Sequence, residues 1–249
     1  MRVVARLVVV VALSLAITAC GAGRVEERLT VSAAASLTDA FSSVAAAFEE
    51  DNPGVDVVLN LAGSASLREQ ILGGAPIDVF ASADMANMAQ VVAAGAAAGE
   101  PMVFARNQLQ IAVPVGNPGR VTGLEDFADD ALFLGMCAEG VPCGDVARQA
   151  LAKAGVDPAM DTQEPDVRSL LTKIAEGELD AGIIYVTDVM AAGSAVEGID
   201  LPDDLNVATD YPIVVLTGAP SPDLAHSFVE FVRSPRGQAL LTEFGFALP

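Results

Sequence analysis

Residues 29–48 read LTVSAAASLTDAFSSVAAAF, and two periodicities meet inside them. Leu29-Thr30-Val31-Ser32-Ala33-Ala34 is a short run of apolar and small residues, the pattern of a buried strand. Beyond it Leu37, Phe41, Val44 and Phe48 recur at the spacing of one helix face. Further strands and helices then alternate, without an internal sequence repeat. Val55–Leu59 follows the Asn52-Pro53-Gly54 turn and leads to a short helix at Leu67, Ile71 and Leu72, stopped by Gly73-Gly74. Ile77–Ala81 leads to a helix over 84–94. Leu109–Val115 reads as a strand leaving for a second set: strand Leu132–Met136, helices Val146–Ala154 and Val167–Ala175, and strand Ala181–Tyr185. Tyr211–Leu216 is a returning strand, and Leu224, Phe228, Phe231 and Val232 mark a closing helix. The alternation predicts an α/β chain whose sheets are mostly parallel and flanked by helices.

The chain has 249 residues, with 13 Lys+Arg against 33 Asp+Glu and a formal charge of −20. That balance excludes a nucleic-acid binder, which needs clustered cations to neutralise phosphates, and any partner held by general attraction to an acidic membrane surface. The single His, His226, rules out a His-rich zinc site, and no metal centre is expected. Enzymatic readings find little support: there is no GxSxG elbow and no Walker loop. Asp129-Asp130 and Asp203-Asp204 read as loop charges rather than a catalytic pair.

The first residues hold Arg2, Arg6 and an apolar run from Leu7 to Ile17 without an acidic residue, which is the anatomy of a secretory signal over 1–19. The run is too short for a transmembrane helix of about 20 residues. Ile17-Thr18-Ala19-Cys20 resembles a bacterial lipobox, implying cleavage before Cys20, a lipid on its sulfur and a polar linker over 20–27. An ordinary cleaved signal is the alternative. With Cys20 lipidated, Cys137 and Cys143 remain, six apart in MCAEGVPCG, in a compartment that permits disulfides. A structural bridge is favoured over a redox pair, which lacks CxxC spacing and an adjacent basic residue. Thiol–disulfide exchange by these two cysteines stays as a reading from another class.

Four helix starts share one feature: small or neutral residues with no Lys or Arg at the start itself. They are Ala33-Ala34-Ala35-Ser36-Leu37, Gly63-Ser64-Ala65-Ser66-Leu67, Val141-Pro142-Cys143-Gly144 and Pro165-Asp166-Val167. Helix N-termini carry free N–H groups and the positive end of the macrodipole, so several converging on one point make an anion site without a formal positive charge. Helix capping is the plain alternative. Ser36-Leu37-Thr38-Asp39 resembles a capping box, Ser66-Leu67-Arg68-Glu69 matches one, and Asp166 suits an N-cap. With Ser66 as the cap, Ser64 is spare. Tyr185 is either a core residue or a donor at the sheet's edge.

These motifs, with Gly74-Ala75-Pro76, Asp78-Val79-Phe80-Ala81-Ser82-Ala83-Asp84, Asp166-Val167-Arg168, Gly182-Ile183-Ile184-Tyr185 and Phe244-Gly245-Phe246, resemble in the same order the extracytoplasmic molybdate-binding proteins of ABC transporters. The resemblance runs from about Leu29 to Phe246. It implies a two-lobed periplasmic-binding-protein fold of type II, with lobe 1 from 28–112 and 212–249, lobe 2 from 113–211, and a hinge between them. It implies a monomeric, non-enzymatic receptor without a cofactor, anchored outside the cell membrane through Cys20, that passes molybdate or tungstate to a permease. The oxyanion would be held by the hydroxyls of Ser36, Ser64 and Tyr185 and the backbone N–H groups of Cys143 and Val167. Cys143 stands where the family often has Ala; a backbone donor tolerates that change. Receptors for another oxyanion such as sulfate are the nearest alternative, and a sensor subunit that signals to a membrane partner is a further one.

Overall fold

Strand β1 (Glu27–Ala34) turns directly into a single 3-10 turn, Ala35–Leu37, and then into helix α1 (Thr38–Asp51). This is the unit read in residues 29–48, and its buried helix residues include Phe41, Val44 and Phe48. The computed structural model describes residues 27–249. The expected signal segment, Cys20 and all but the last residue of the linker lie outside the described residues.

The first lobe is a sheet of β2 (Val55–Ala62), β1, β3 (Val79–Ala81), β10 (Thr209–Val215) and β4 (Met102–Asn107), in that order. Helices α1, α2 (Ser64–Leu72), α3 (Met85–Ala93), α7 (Pro222–Arg233) and α8 (Pro235–Glu243) complete it. The second sheet runs β7 (Thr162–Glu164), β6 (Leu134–Cys137), β8 (Ala181–Tyr185), β5 (Leu109–Pro114) and β9 (Val196–Asp200), with α4 (Pro142–Ala154), α5 (Val167–Ala175) and α6 (Val186–Ala192). Both sheets are mixed in the same way: β10 and β5 run antiparallel to both neighbours, and the other strands share one direction. The two antiparallel strands are those that follow the crossings between lobes.

Those crossings fall a few residues before the expected boundaries. β5 lies wholly in the second sheet and β10 wholly in the first, so 112/113 and 211/212 each cut a strand. The chain passes between lobes at Gln108 and again between β9 and β10. Four elements escape the periodicity: β4, the three-residue β7, α6, and β9, whose residues Glu197, Gly198 and Asp200 are exposed at a sheet edge. The closing helix is two helices, because Pro235 cannot continue α7 and instead starts α8, where Ser234 accepts a hydrogen bond from Gly237 N–H.

The lobes have different cores. In lobe 1, Phe41, Phe48, Phe104 and Phe228 pack with tilted or edge-on rings, and Tyr211 meets Phe104 and Phe246 edge-to-face. Lobe 2 is aliphatic, built on Ile111, Leu134, Leu170, Ile174 and Ile183. There Gly135 and Gly182, paired on β6 and β8, let α5 lie close, since a Cβ on either would overlap the side chains of Leu170, Ile174 or Leu179. Cys137 and Cys143 are joined by a disulfide with a Cα–Cα distance of 5.7 Å, tying the end of β6 to the first turn of α4. Replacing both cysteines by Ala is expected to lower the unfolding free energy by about 2 kcal/mol, the chain-entropy value for so short a loop. Urea denaturation checks this, and an unchanged midpoint and slope would contradict it.

Candidate functional site

The carboxyl ends of the parallel strands in both sheets face one cleft, the location at which open α/β sheets bind ligands. Lobe 1 brings Ala34–Ser36, Gly63, Ser64 and Ala83; lobe 2 brings Val141–Cys143, Asp166, Val167 and Tyr185. All five residues expected at an anion site therefore line one cavity. It is small, with about 10 Å3 open to the centre of a water-sized sphere, far below the roughly 300 Å3 of a typical organic-ligand pocket. No Lys or Arg lines it.

Each donor is set by its local structure. The expected capping boxes do not form: Leu37 and Gly63, the residues before α1 and α2, make no side-chain cap, and Ser66 is exposed. Ser64 is instead the first residue of α2, 1% exposed, and its Oγ accepts the N–H of Ala83 at 3.0 Å. That leaves its hydrogen for the cavity. Ser36, 4% exposed, lies 2.9 Å from the hydroxyl of Tyr211, which also accepts from Asn107 Nδ2 at 3.3 Å. In α4 the first residue is Pro142, which has no N–H, so Cys143 supplies the first backbone donor of that helix. Asp166 caps α5 as its sequence suggests, accepting from Arg168 and Ser169 N–H at 2.9 Å each and leaving Val167 N–H at the tip.

Tyr185 is fully buried at the end of β8, and its hydroxyl, beside that of Tyr211, makes no aligned hydrogen bond. Burial pushes both tyrosines above the usual phenol range, so both stay protonated and able to donate. A buried unpaired hydroxyl costs about 1–3 kcal/mol, and its position on the cavity wall points to a ligand acceptor.

Arg168, next to Val167, is turned away from the cavity. It pairs with Asp39 at the start of α1 in the other lobe, and its Nε lies 3.1 Å from Asp188 Oδ1. Asp188 is wholly buried and its oxygens make no aligned hydrogen bond. Burial pushes its pKa up to about 7, with the Arg168 charge drawing it back. Asp39, the Arg168 side chain, Asp188, Asn107 and Tyr211 were not singled out from sequence. Tyr211 alone carried a signal, as the only tyrosine besides Tyr185.

Other chemistries find no support in this geometry. Cys137 and Cys143 are 0% and 3% exposed, so their bridge is shielded from an attacking thiolate. Among the described residues no group of three or more His, Cys, Asp or Glu is placed to hold a metal ion, and no helix is long and apolar enough to cross a membrane. His226 lies exposed on α7.

The sequence model of bacterial extracellular solute-binding proteins matches residues 29–247. The molybdate-binding protein ModA of Mycobacterium tuberculosis is 37% identical over 221 residues, covering 89% of this chain and 85% of that protein. The fold superposes on the periplasmic molybdate-binding protein of Azotobacter vinelandii with a TM-score of 0.78 at 20% identity, covering 89% of this chain and 99% of that one. It also superposes on the sulfate-binding protein SubI of Mycobacterium tuberculosis with a TM-score of 0.77 at 20% identity, covering 88% and 86%.

One glycine governs how closely the lobes meet at this cavity. A Cβ on Gly63 would overlap the carbonyl oxygen of Pro165 in the opposite lobe. Gly63→Ala is expected to oppose closure by about 1–3 kcal/mol, the usual cost of overpacking. Small-angle X-ray scattering should then show a larger radius of gyration than wild type; an unchanged radius would mean that this contact does not limit closure.

Proposed function

The chain belongs to the bacterial extracellular solute-binding protein family, whose members are not enzymes, and we propose that it captures molybdate, and tungstate with it, for an ABC transporter permease. The observation that carries this reading is the Tyr185 hydroxyl, without an aligned partner, on the wall of a cavity it shares with Ser36, Ser64, Cys143 and Val167; the one carboxylate there, Asp166, is engaged by Arg168 and Ser169 of its own helix. Ser36, Ser64 and Tyr185 offer O–H groups, and Cys143 and Val167 offer N–H groups from two helix starts. A tetrahedral dianion without a proton can accept from all of them. Hydrogen phosphate brings a hydrogen of its own, and leaving it unmatched costs about 1–3 kcal/mol. Sulfate matches molybdate in charge and acceptors, so only the size of the cage separates them. Tungstate, nearly the size of molybdate, enters on equal terms.

The relatives named for molybdate binding support this choice of anion, and the likeness to a sulfate-binding protein makes sulfate the competitor to test. The signal-like segment, the lipobox at Cys20 and the family membership support an extracytoplasmic receptor tethered to the membrane by lipid. The lobes, built from both chain ends and from the middle, would act as a monomer that closes on its ligand.

Isothermal titration of the soluble domain with molybdate, tungstate, sulfate and phosphate tests the proposal. Molybdate and tungstate should bind tightly, sulfate much more weakly and phosphate not measurably; sulfate binding as tightly as molybdate would overturn it. Ser36→Ala and Ser64→Ala should each weaken molybdate binding by about 10- to 100-fold, the worth of a hydrogen bond to a charged group. Unchanged affinity would remove that serine from the cage.

A further inference from the structure

A hydroxyl can donate or accept, so a serine serves a donor-only cage only if something fixes its direction. For Ser64 the backbone N–H of Ala83 does so. For Ser36 the neighbour is another hydroxyl, that of Tyr211, and the two atoms alone leave the direction open. The answer lies one step further back. Gln108 N–H donates to Asn107 Oδ1 at 3.0 Å, which fixes the orientation of that amide. Its Nδ2 then donates to Thr187 Oγ1 at 2.8 Å and to Tyr211 Oη at 3.3 Å. Tyr211 is fully buried, and among the described residues Ser36 Oγ is the acceptor with hydrogen-bond geometry for its hydrogen, at 2.9 Å; the Tyr185 hydroxyl also lies beside it, without an aligned bond. The alternative direction would strand a buried phenol hydrogen, the costlier arrangement. The relay therefore runs from Asn107 to Tyr211 to Ser36, and the hydrogen of Ser36 goes to the cavity.

We propose that Tyr211, oriented by Asn107, determines specificity: by donating to Ser36 it turns that serine's hydrogen toward the cavity, so that Ser36 meets an oxyanion as a donor and not as an acceptor for a proton. The proposal rests on the reading of the cavity as an oxyanion cage and adds to it the source of its one-way hydrogen bonding. Tyr211 is a positioning residue here. Asn107 stands beside Gln108, where the chain passes between lobes, and its amide spans Thr187 in one lobe and Tyr211 in the other. The direction of Ser36 is thus fixed from the crossing itself.

Tyr211→Phe keeps the ring and removes the hydrogen that Ser36 accepts. Affinities for molybdate, sulfate and phosphate are measured by titration, with phosphate followed by competition against molybdate. The preference for molybdate over phosphate should fall by about ten-fold or more, because a freed serine oxygen can accept the phosphate proton. The preference for molybdate over sulfate should hold within about two-fold, since neither carries a proton. Both ratios unchanged, or both falling together, would overturn the proposal, the second result marking a general loss of cage shape. If Tyr211→Phe does not fold, Asn107→Asp tests the relay from its other end. An acceptor at Nδ2 draws the Tyr211 hydrogen away, turns Ser36 toward Tyr211, and should weaken molybdate binding at least about ten-fold; unchanged binding would overturn the relay. Failure of wild type to bind molybdate overturns the cage reading, whereas altered variants are judged only against a wild type that binds.

Discussion

A buried hydroxyl whose oxygen accepts a hydrogen bond from the protein has its own hydrogen turned elsewhere, and the proposed site depends on that constraint. The Ala83 N–H imposes it on Ser64, and the Asn107–Tyr211 pair imposes it on Ser36. Tyr185 reaches the same end by burial, which keeps its phenol protonated, and by making no aligned hydrogen bond within the protein. Backbone N–H groups at Cys143 and Val167 need no such control, because an N–H cannot accept. The chemistry of the cage is therefore held by atoms behind its wall as much as by the wall.

On the proposed reading, the same principle lets a chain of net charge −20 hold an anion. Most of its carboxylates lie away from the cavity, which offers oriented dipoles, and the one carboxylate on its wall, Asp166, is engaged as the cap of α5. The nearest cation, Arg168, is drawn off by Asp39 across the cleft and by buried Asp188 behind it. Its charge bridges the lobes and is not offered to the ligand. Affinity that comes from short-range dipoles in a dry site responds weakly to salt, unlike attraction by exposed charges.

Much of this was legible in residues 29–48 and in the strand–helix alternation that follows them. Strand and helix periods placed β1, α1, β2, α2, β8 and the helix starts, since each buries one face against its own sheet. Elements without such a period were missed: β4, the short β7, α6 following β8 without a break, and the exposed edge strand β9. The lobe boundaries were displaced because β5 and β10 read as uninterrupted apolar strands, and nothing in an apolar run says which sheet it joins. Capping chemistry misled at Ser36 and Ser66, where a local rule competes with the tertiary structure and loses. The residues behind the cage are the least legible class. Asn107 acts through contacts 80 or more residues away in sequence, and Asp188 through Arg168 on the neighbouring helix; no local pattern marks such partners.

The direct test is a crystal structure of the molybdate complex with anomalous data collected at the molybdenum edge. The account predicts one metal-oxyanion peak between the lobes, its oxygens within hydrogen-bond distance of the Ser36, Ser64 and Tyr185 hydroxyls and the Cys143 and Val167 N–H groups, with no Lys or Arg in contact. A peak elsewhere, or an anion paired with Arg168, would contradict it.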